Sequence, residues 1–204
     1  MDQHIFTRYY QHFSPLPEAG MSRPFHILKH EHRIIERALR GLDGVCMRIE
    51  GGNRVPAGAL LEIVDFIKTF ADHYHHGKEE ALLFPALERR GFTREGGPLG
   101  VMEYEHQVER ELIADLEQAI ELYQEADVEA AQRFVEAARA YLRLLVGHIE
   151  REDSMLFRIG DEVLDDEDKA ALAASFKGFN TTLGGRSLED FERLATELEQ
   201  KWAV

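Results

Sequence analysis

Residues 73–85 read HYHHGKEEALLFP. His73, His75 and His76 fall within eight residues of Glu79 and Glu80. The register of this stretch is ambiguous by one residue. His75 and Glu79 are four apart, and so are His76 and Glu80. On a helix either pair shares a face. Which pair points inward decides what the fold encloses.

The residues before it choose between them. Leu60, Val64, Ile67 and Ala71 make steps of three and four that lead to His75, Glu79, Leu82 and Ala86, the period of an amphipathic helix. Asp65, Thr69 and Asp72 lead instead to His76, a polar face. The pattern predicts His75 and Glu79 inward and His76 outward.

Three more segments carry the same period. The first opens at "SRP", with Ser22 as cap and Pro24 in the first turn, where a missing N–H costs nothing. Its stripe is Phe25, Leu28, His32, Ile35, Leu39, Leu42, Cys46 and Ile49. The third carries Leu99, Met102, His106, Ile113, Leu116 and Ile120. The fourth, with Asp127 as cap, carries Phe134, Ala138, Tyr141, Leu145, His148, Glu152, Leu156 and Ile159. Two shorter helices are predicted at about 166–178 and 187–201, the second opening on Ser187 and Asp190 like a capping box. No segment alternates as a strand does. The expected fold is all-α: an up-down-up-down antiparallel four-helix bundle with two short C-terminal helices. The expected divisions are an N-terminal arm at 1–21, the bundle at 22–160 and a helical extension at 161–204.

His32, His75, His106 and His148 each stand where a stripe calls for leucine. One such histidine is ordinarily a core residue with a hydrogen bond. Four, one per helix, need compensation together. They also fall at one level. His32 lies 21 residues before Asn53 and His75 lies 22 after it; His106 lies 20 before Ala126 and His148 lies 22 after it. At 1.5 Å rise per residue these mismatches amount to a few ångströms. An internal repeat agrees. HHGKEEALLF (75–84) aligns without gaps to HIEREDSMLF (148–157), and LKHEHRII (28–35) to MEYEHQVE (102–109). The chain reads as two helical hairpins. Each gives one histidine from its first helix and a His-x-x-x-Glu from its second.

Four imidazoles and two carboxylates suit iron or manganese, with zinc possible. If each carboxylate bridges, each of two metals receives two nitrogens and two oxygens, and an octahedral ion keeps about two positions open. Composition narrows the rest. A net charge of −14 opposes nucleic acid and anionic membrane surfaces. Cys46 is the single cysteine, so neither a disulfide within the chain nor a thiolate-rich site is expected. No apolar stretch approaches the length of a membrane span, and the first residues do not resemble a secretory signal. A soluble, cytoplasmic protein is expected.

The pattern EH…, HHGKEEALLFP, EH…, HIEREDSMLF resembles the hemerythrin-like HHE cation-binding domain over about residues 24–160. The resemblance implies a non-heme di-iron centre, oxo- or hydroxo-bridged, ahead of manganese or zinc. Its ligands are then His32, His75, Glu79, His106, His148 and Glu152, with both glutamates bridging. Oxygen-carrying members have a fifth histidine where this chain has Arg110, and an aspartate-type bridge where it has Glu152. The four-His, two-Glu set is more similar to the iron-centre repair and nitric-oxide-responsive branch. The implied function is binding of, or reaction with, dioxygen, nitric oxide or peroxide. The alternative is iron storage, delivery or sensing without turnover. The expected partner is that small molecule, in a monomer or homodimer. Glu36 and Glu109 are expected as boundary residues in ion pairs, with metal ligation or imidazole orientation as the sharper alternative. Tyr74 and Tyr104 are expected to border the layer.

Overall fold

The computed structural model of the chain describes residues 21–124, 128–179 and 183–203. Positions 1–20 of the expected arm and the expected Asp127 cap lie outside them. All regular structure among the described residues is helical. The first long helix is α1 (Arg23–Glu50). The second runs through α2 (Ala57–Phe66), a π-helical stretch (Ile67–His76), a second one (Glu79–Leu83) and α3 (Phe84–Arg89). The third is α4 (Pro98–Gln124). The fourth joins α5 (Val128–Arg151), a π-helical turn (Glu152–Leu156) and α6 (Phe157–Val163). The shorter α7 (Asp166–Gly178) and α8 (Leu188–Trp202) follow.

Local chemistry explains the breaks. Pro24 sits in the first turn of α1, and Gly52 leaves its far end with φ of +78°, a conformation glycine adopts without penalty. Asp165 caps α7 by accepting from the Asp168 N–H at 2.9 Å. Ser187 and Asp190 form the expected capping box on α8.

Cross-links show the antiparallel order. Arg33 pairs with Asp153 while Arg139 pairs with Glu50, so the first and fourth helices run in opposite directions. Lys68 meets Glu117 and Glu80 meets His106, which sets the second against the third. The bundle is the one the stripes predict. Its C-terminal helices pack on it. α8 runs parallel to α1, with His30–Glu192 and Arg40–Glu199 pairs, and Phe191 stacks on Phe70 at 5.2 Å. Trp202 is thereby buried. Close approach depends on Gly41 and Gly44. A Cβ on Gly41 would stand 2.9 Å from the Leu198 carbonyl, and one on Gly44 would overlap the Trp202 carbonyl outright. Gly44→Ala is therefore expected to destabilise the fold by about 1–3 kcal/mol, read as a lowered denaturation midpoint. An unchanged midpoint would show that α8 is not seated there.

The apolar interior falls into two clusters. The larger holds residues such as Leu39, Phe66, Leu116 and Phe134 and takes in α8. The smaller holds Phe25, Leu83, Phe157 and Phe176 and takes in α7. His32, His75, His106 and His148 occur in neither, and all four are buried. One detail of the predicted pattern shifts. Past His75 the expected Glu79 and Ala86 are buried, but Leu83 and Phe84 take the inward place expected of Leu82, which is only half-buried. The π-helical stretches account for this, because an i→i+5 turn holds an extra residue and slips the register of everything beyond it. Pro85 stands just after the second stretch and lacks the N–H that a tight α-turn needs. Among the described residues, no helix is long and apolar enough to cross a membrane.

Candidate metal centre

The structure brings the six expected residues together. His32, His75, Glu79, His106, His148 and Glu152 are all 0–1% exposed. They form two clusters of ligand atoms. One contains His32, His75, Glu79 and Glu152; the other contains His76, Glu79, His106 and His148.

His76 corrects the sequence-based assignment. It was expected on a polar face, yet it is 1% exposed and its ring stacks on His106 at 4.0 Å. The π-helical stretch ending at His76 is the reason. With more residues in each turn, neighbours lie closer in angle, and His75 and His76 both face inward. The repeat holds a signal that points the same way, since position 76 aligns with Ile149 and an apolar partner marks an inward site.

Each glutamate faces both clusters. Glu79 Oε1 lies 3.6 Å from His75 Nε2, and its Oε2 lies 3.6 Å from His106 Nε2. Glu152 Oε2 lies 3.1 Å from His32 Nε2, and its Oε1 lies 3.3 Å from His148 Nε2. His106 and His148 bring their Nε2 atoms within 3.2 Å of each other. Ligands bound at about 2.1 Å around one cation lie about 3 Å apart, so these edges suit a shared ion. The donor chemistry also fits. Of the buried side-chain polar atoms without a hydrogen-bond partner among the described residues, most lie here: His75 Nε2, both His76 nitrogens, both Glu79 oxygens, Glu152 Oε1 and both Glu109 oxygens. A native interior seldom leaves so many donors and acceptors unmatched. Cations would match them.

The opposite ring nitrogens are already committed. His75 Nδ1 pairs with Glu31 at 2.9 Å, and Glu31 is held by the buried Lys78. His106 Nδ1 pairs with Glu80 at 2.7 Å, held by Arg110. His148 Nδ1 pairs with Glu105 at 2.9 Å, held by Arg151. His32 Nδ1 pairs with Asp153 at 2.8 Å, held by Arg33. A carboxylate on Nδ1 fixes the tautomer and aims Nε2 at the centre. There is one such link at each interface between neighbouring long helices. The orienting acids also obey the repeat, Glu31 with Glu105 and Glu80 with Asp153. That pairing of acids was the available signal for them.

Protonation follows from burial and neighbours. Burial opposes a charged His32, but Asp153 and Glu152 outweigh it and raise its pKa to about 9. Burial also opposes a charged His148, yet Glu152 and Glu109 hold its pKa well above the usual value. Burial dominates at His75 and lowers it to about 4. Burial and the facing Glu152 raise Glu79 well above the carboxylate range. Burial works the same way on Glu152 but is overcome by His148 and His32, which hold it low. The upward shifts at His32, His148 and Glu79 all favour protonated forms, whose protons a bound cation would displace.

The bordering residues divide. Glu36 pairs with Arg33 at 3.2 Å as expected. Glu109 does not behave as a boundary residue. It is 1% exposed, its oxygens accept no hydrogen bond, and burial raises its pKa to about 8. Tyr74 is buried beneath the Lys78 ammonium, 3.7 Å from the ring centre. Tyr104 is 65% exposed and faces away from the layer. The thiol of Cys46 is buried and pushed up to about 12 by that burial, which disfavours the reactive thiolate.

Sequence comparison agrees with the geometry. The family model described as the hemerythrin HHE cation-binding domain matches residues 23–159. Uncharacterized proteins of Mycobacterium bovis and Mycobacterium tuberculosis are 26% identical over 164 residues, 80% of this chain and 63% of theirs. The chain thus spans a little under two thirds of the length of these curated relatives. The match covers all four long helices and every residue of both clusters, and the chain belongs to the hemerythrin HHE cation-binding domain family.

Proposed function

We propose that the buried layer holds two iron ions bridged by Glu79 and Glu152, and that the protein binds or reacts with a small molecule there. The observation that carries this reading is the splitting of both carboxylates, one oxygen toward each cluster. On this reading His32 and His75 serve one ion, and His76, His106 and His148 serve the other. Mixed imidazole and carboxylate donors favour iron over a thiolate-seeking metal. Bound iron would supply redox chemistry and open positions for dioxygen, nitric oxide or peroxide. The chain itself supplies the rest. Four paired Nδ1 atoms hold the imidazoles in place, and the two apolar clusters keep bulk water from the layer.

The lower number of imidazoles at the His32–His75 position makes it the one with room for a small molecule. We place the metal-binding unit at residues 22–160 and the helical extension at 161–204, whose helices α7 and α8 pack against the unit. Metal analysis with optical spectra tests the proposal. Two irons per chain and a charge-transfer band that changes on adding nitric oxide or dioxygen are expected. Zinc alone, or iron with no spectral response to any of the three molecules, would overturn it; the latter would favour storage, delivery or sensing.

A further inference from the structure

Across the two hairpins the four histidines and the four acids that orient them correspond in pairs, but two buried positions beside them differ in kind. His76 corresponds to Ile149, and Glu109 corresponds to Ile35. All four side chains are at most 3% exposed. One half of the bundle therefore fills these places with isoleucine alone, and packing needs nothing polar there. The other half buries an imidazole and a carboxylate. His76 Nδ1 stands 3.6 Å from Glu109 Oε2 and 4.0 Å from Asp72 Oδ1. Among the described residues, neither nitrogen of His76 has a hydrogen-bond partner, and neither oxygen of Glu109 has one.

The other four histidines supply the comparison. Each has a carboxylate on Nδ1, and a Lys or Arg holds each carboxylate. Glu109 stands on the Nδ1 side of His76 in the same way, but no Lys or Arg pairs with it among the described contacts. An unpaired buried carboxylate is costly. Its cost is offset if His76 becomes a better donor, as an imidazole does when a cation takes its other nitrogen.

We infer that Glu109 is the positioning residue for His76. It accepts a hydrogen bond from the Nδ1–H of His76 and turns Nε2 toward His106 and His148, and so sets the affinity of one metal position and not the other. The inference rests on the two-metal reading above. It makes the positions unequal by construction, one with three imidazoles and one with two.

Three forms of the full chain test it: wild type, Glu109→Leu and Glu109→Gln. Each is titrated with ferrous iron without oxygen, and each is melted with and without chelator. The wild type is expected to take two equivalents. Glu109→Leu should weaken one equivalent by about ten- to a hundredfold and leave the other in place. Its chelated form should melt no lower than the chelated wild type, because a buried unpaired acid has been replaced by an apolar side chain. That melt also shows that the variant folds. Glu109→Gln keeps an oxygen acceptor for Nδ1 and should restore most of the lost affinity. Two undiminished equivalents in Glu109→Leu would overturn the inference alone. So would equal losses in the Leu and Gln variants, which would make Glu109 a direct ligand. A wild-type chain that takes fewer than two equivalents overturns the two-metal reading, and the inference with it.

Discussion

Glu152→Ala is expected to empty both metal positions at once. One oxygen of Glu152 faces His32 at 3.1 Å and the other faces His148 at 3.3 Å. These histidines sit in different clusters. Removing the carboxylate takes an anionic donor from each, so both affinities should fall by more than about a hundredfold, beyond the loss for an outer partner alone. His75→Ala and His76→Ala make the contrast. Each touches one cluster only, and each should leave one equivalent near its wild-type affinity. Metal content after dialysis against a weak chelator separates these outcomes. If Glu152→Ala keeps one tightly held ion, the carboxylate is not shared and the layer is not a bridged pair.

Stripping the metal should lower the melting temperature by about 10 °C or more. A ligand at a thousand times its dissociation constant stabilises the native state by about 4 kcal/mol, and each kcal/mol moves a chain of this size by about 2–4 °C. The difference should widen as pH rises, and the sign can be worked out from His32. Burial disfavours its charge, but Asp153 and Glu152 raise its pKa in the empty fold to about 9. Protonated His32 therefore stabilises the empty fold fully below its unfolded value of about 6.5, and that contribution fades as pH climbs through about 9. Cation binding at Nε2 displaces the same proton, so affinity grows over the same range. Melting curves with and without chelator, at about pH 6.5 and about pH 8.5, read both effects. A difference that shrinks with pH would contradict the assignment of protons in the empty layer.

Much of this was legible before any coordinates. The stripes through His32, His106 and His148 are α-helical faces as far as Glu152, and most of their residues lie where the period puts them; past the π-helical turn at Glu152–Leu156, Phe157 is buried and the expected Ile159 only half-buried. Leu28, Leu39, Leu116 and Leu145 are fully buried. The level of the histidines follows from counting residues to each loop, because antiparallel helices pair by distance from their connection. The second helix was legible at His75, Glu79 and Ala86, which are buried as expected, but the neighbours that join them were plain only as far as Ala71. Beyond it the stripe was extended at the α period, while the chain runs through Ile67–His76 and Glu79–Leu83 as π-helix. Residue propensities carry no signal for an i→i+5 turn, so the α period alone put His76 on the polar face and Leu82 on the buried one. The repeat contained the correction in Ile149. Glu109 was placed first as a boundary residue, with imidazole orientation only as the alternative, for a different reason. A glutamate beside a stripe is nearly always solvated, and only its burial beside His76 without a hydrogen-bond partner among the described residues sets it apart.

The four carboxylate–imidazole links have a mechanical consequence. Glu31–His75 joins the first long helix to the second, Glu80–His106 the second to the third, Glu105–His148 the third to the fourth, and Asp153–His32 the fourth back to the first. They close a hoop, and every helix enters it twice. A helix that slides by one turn, about 5.4 Å, breaks two links and pulls two imidazoles out of aim. Nonpolar side chains in a bundle tolerate such slippage, since one leucine replaces another in the groove. The hoop does not, so the acids that aim the ligands also hold the four helices in register.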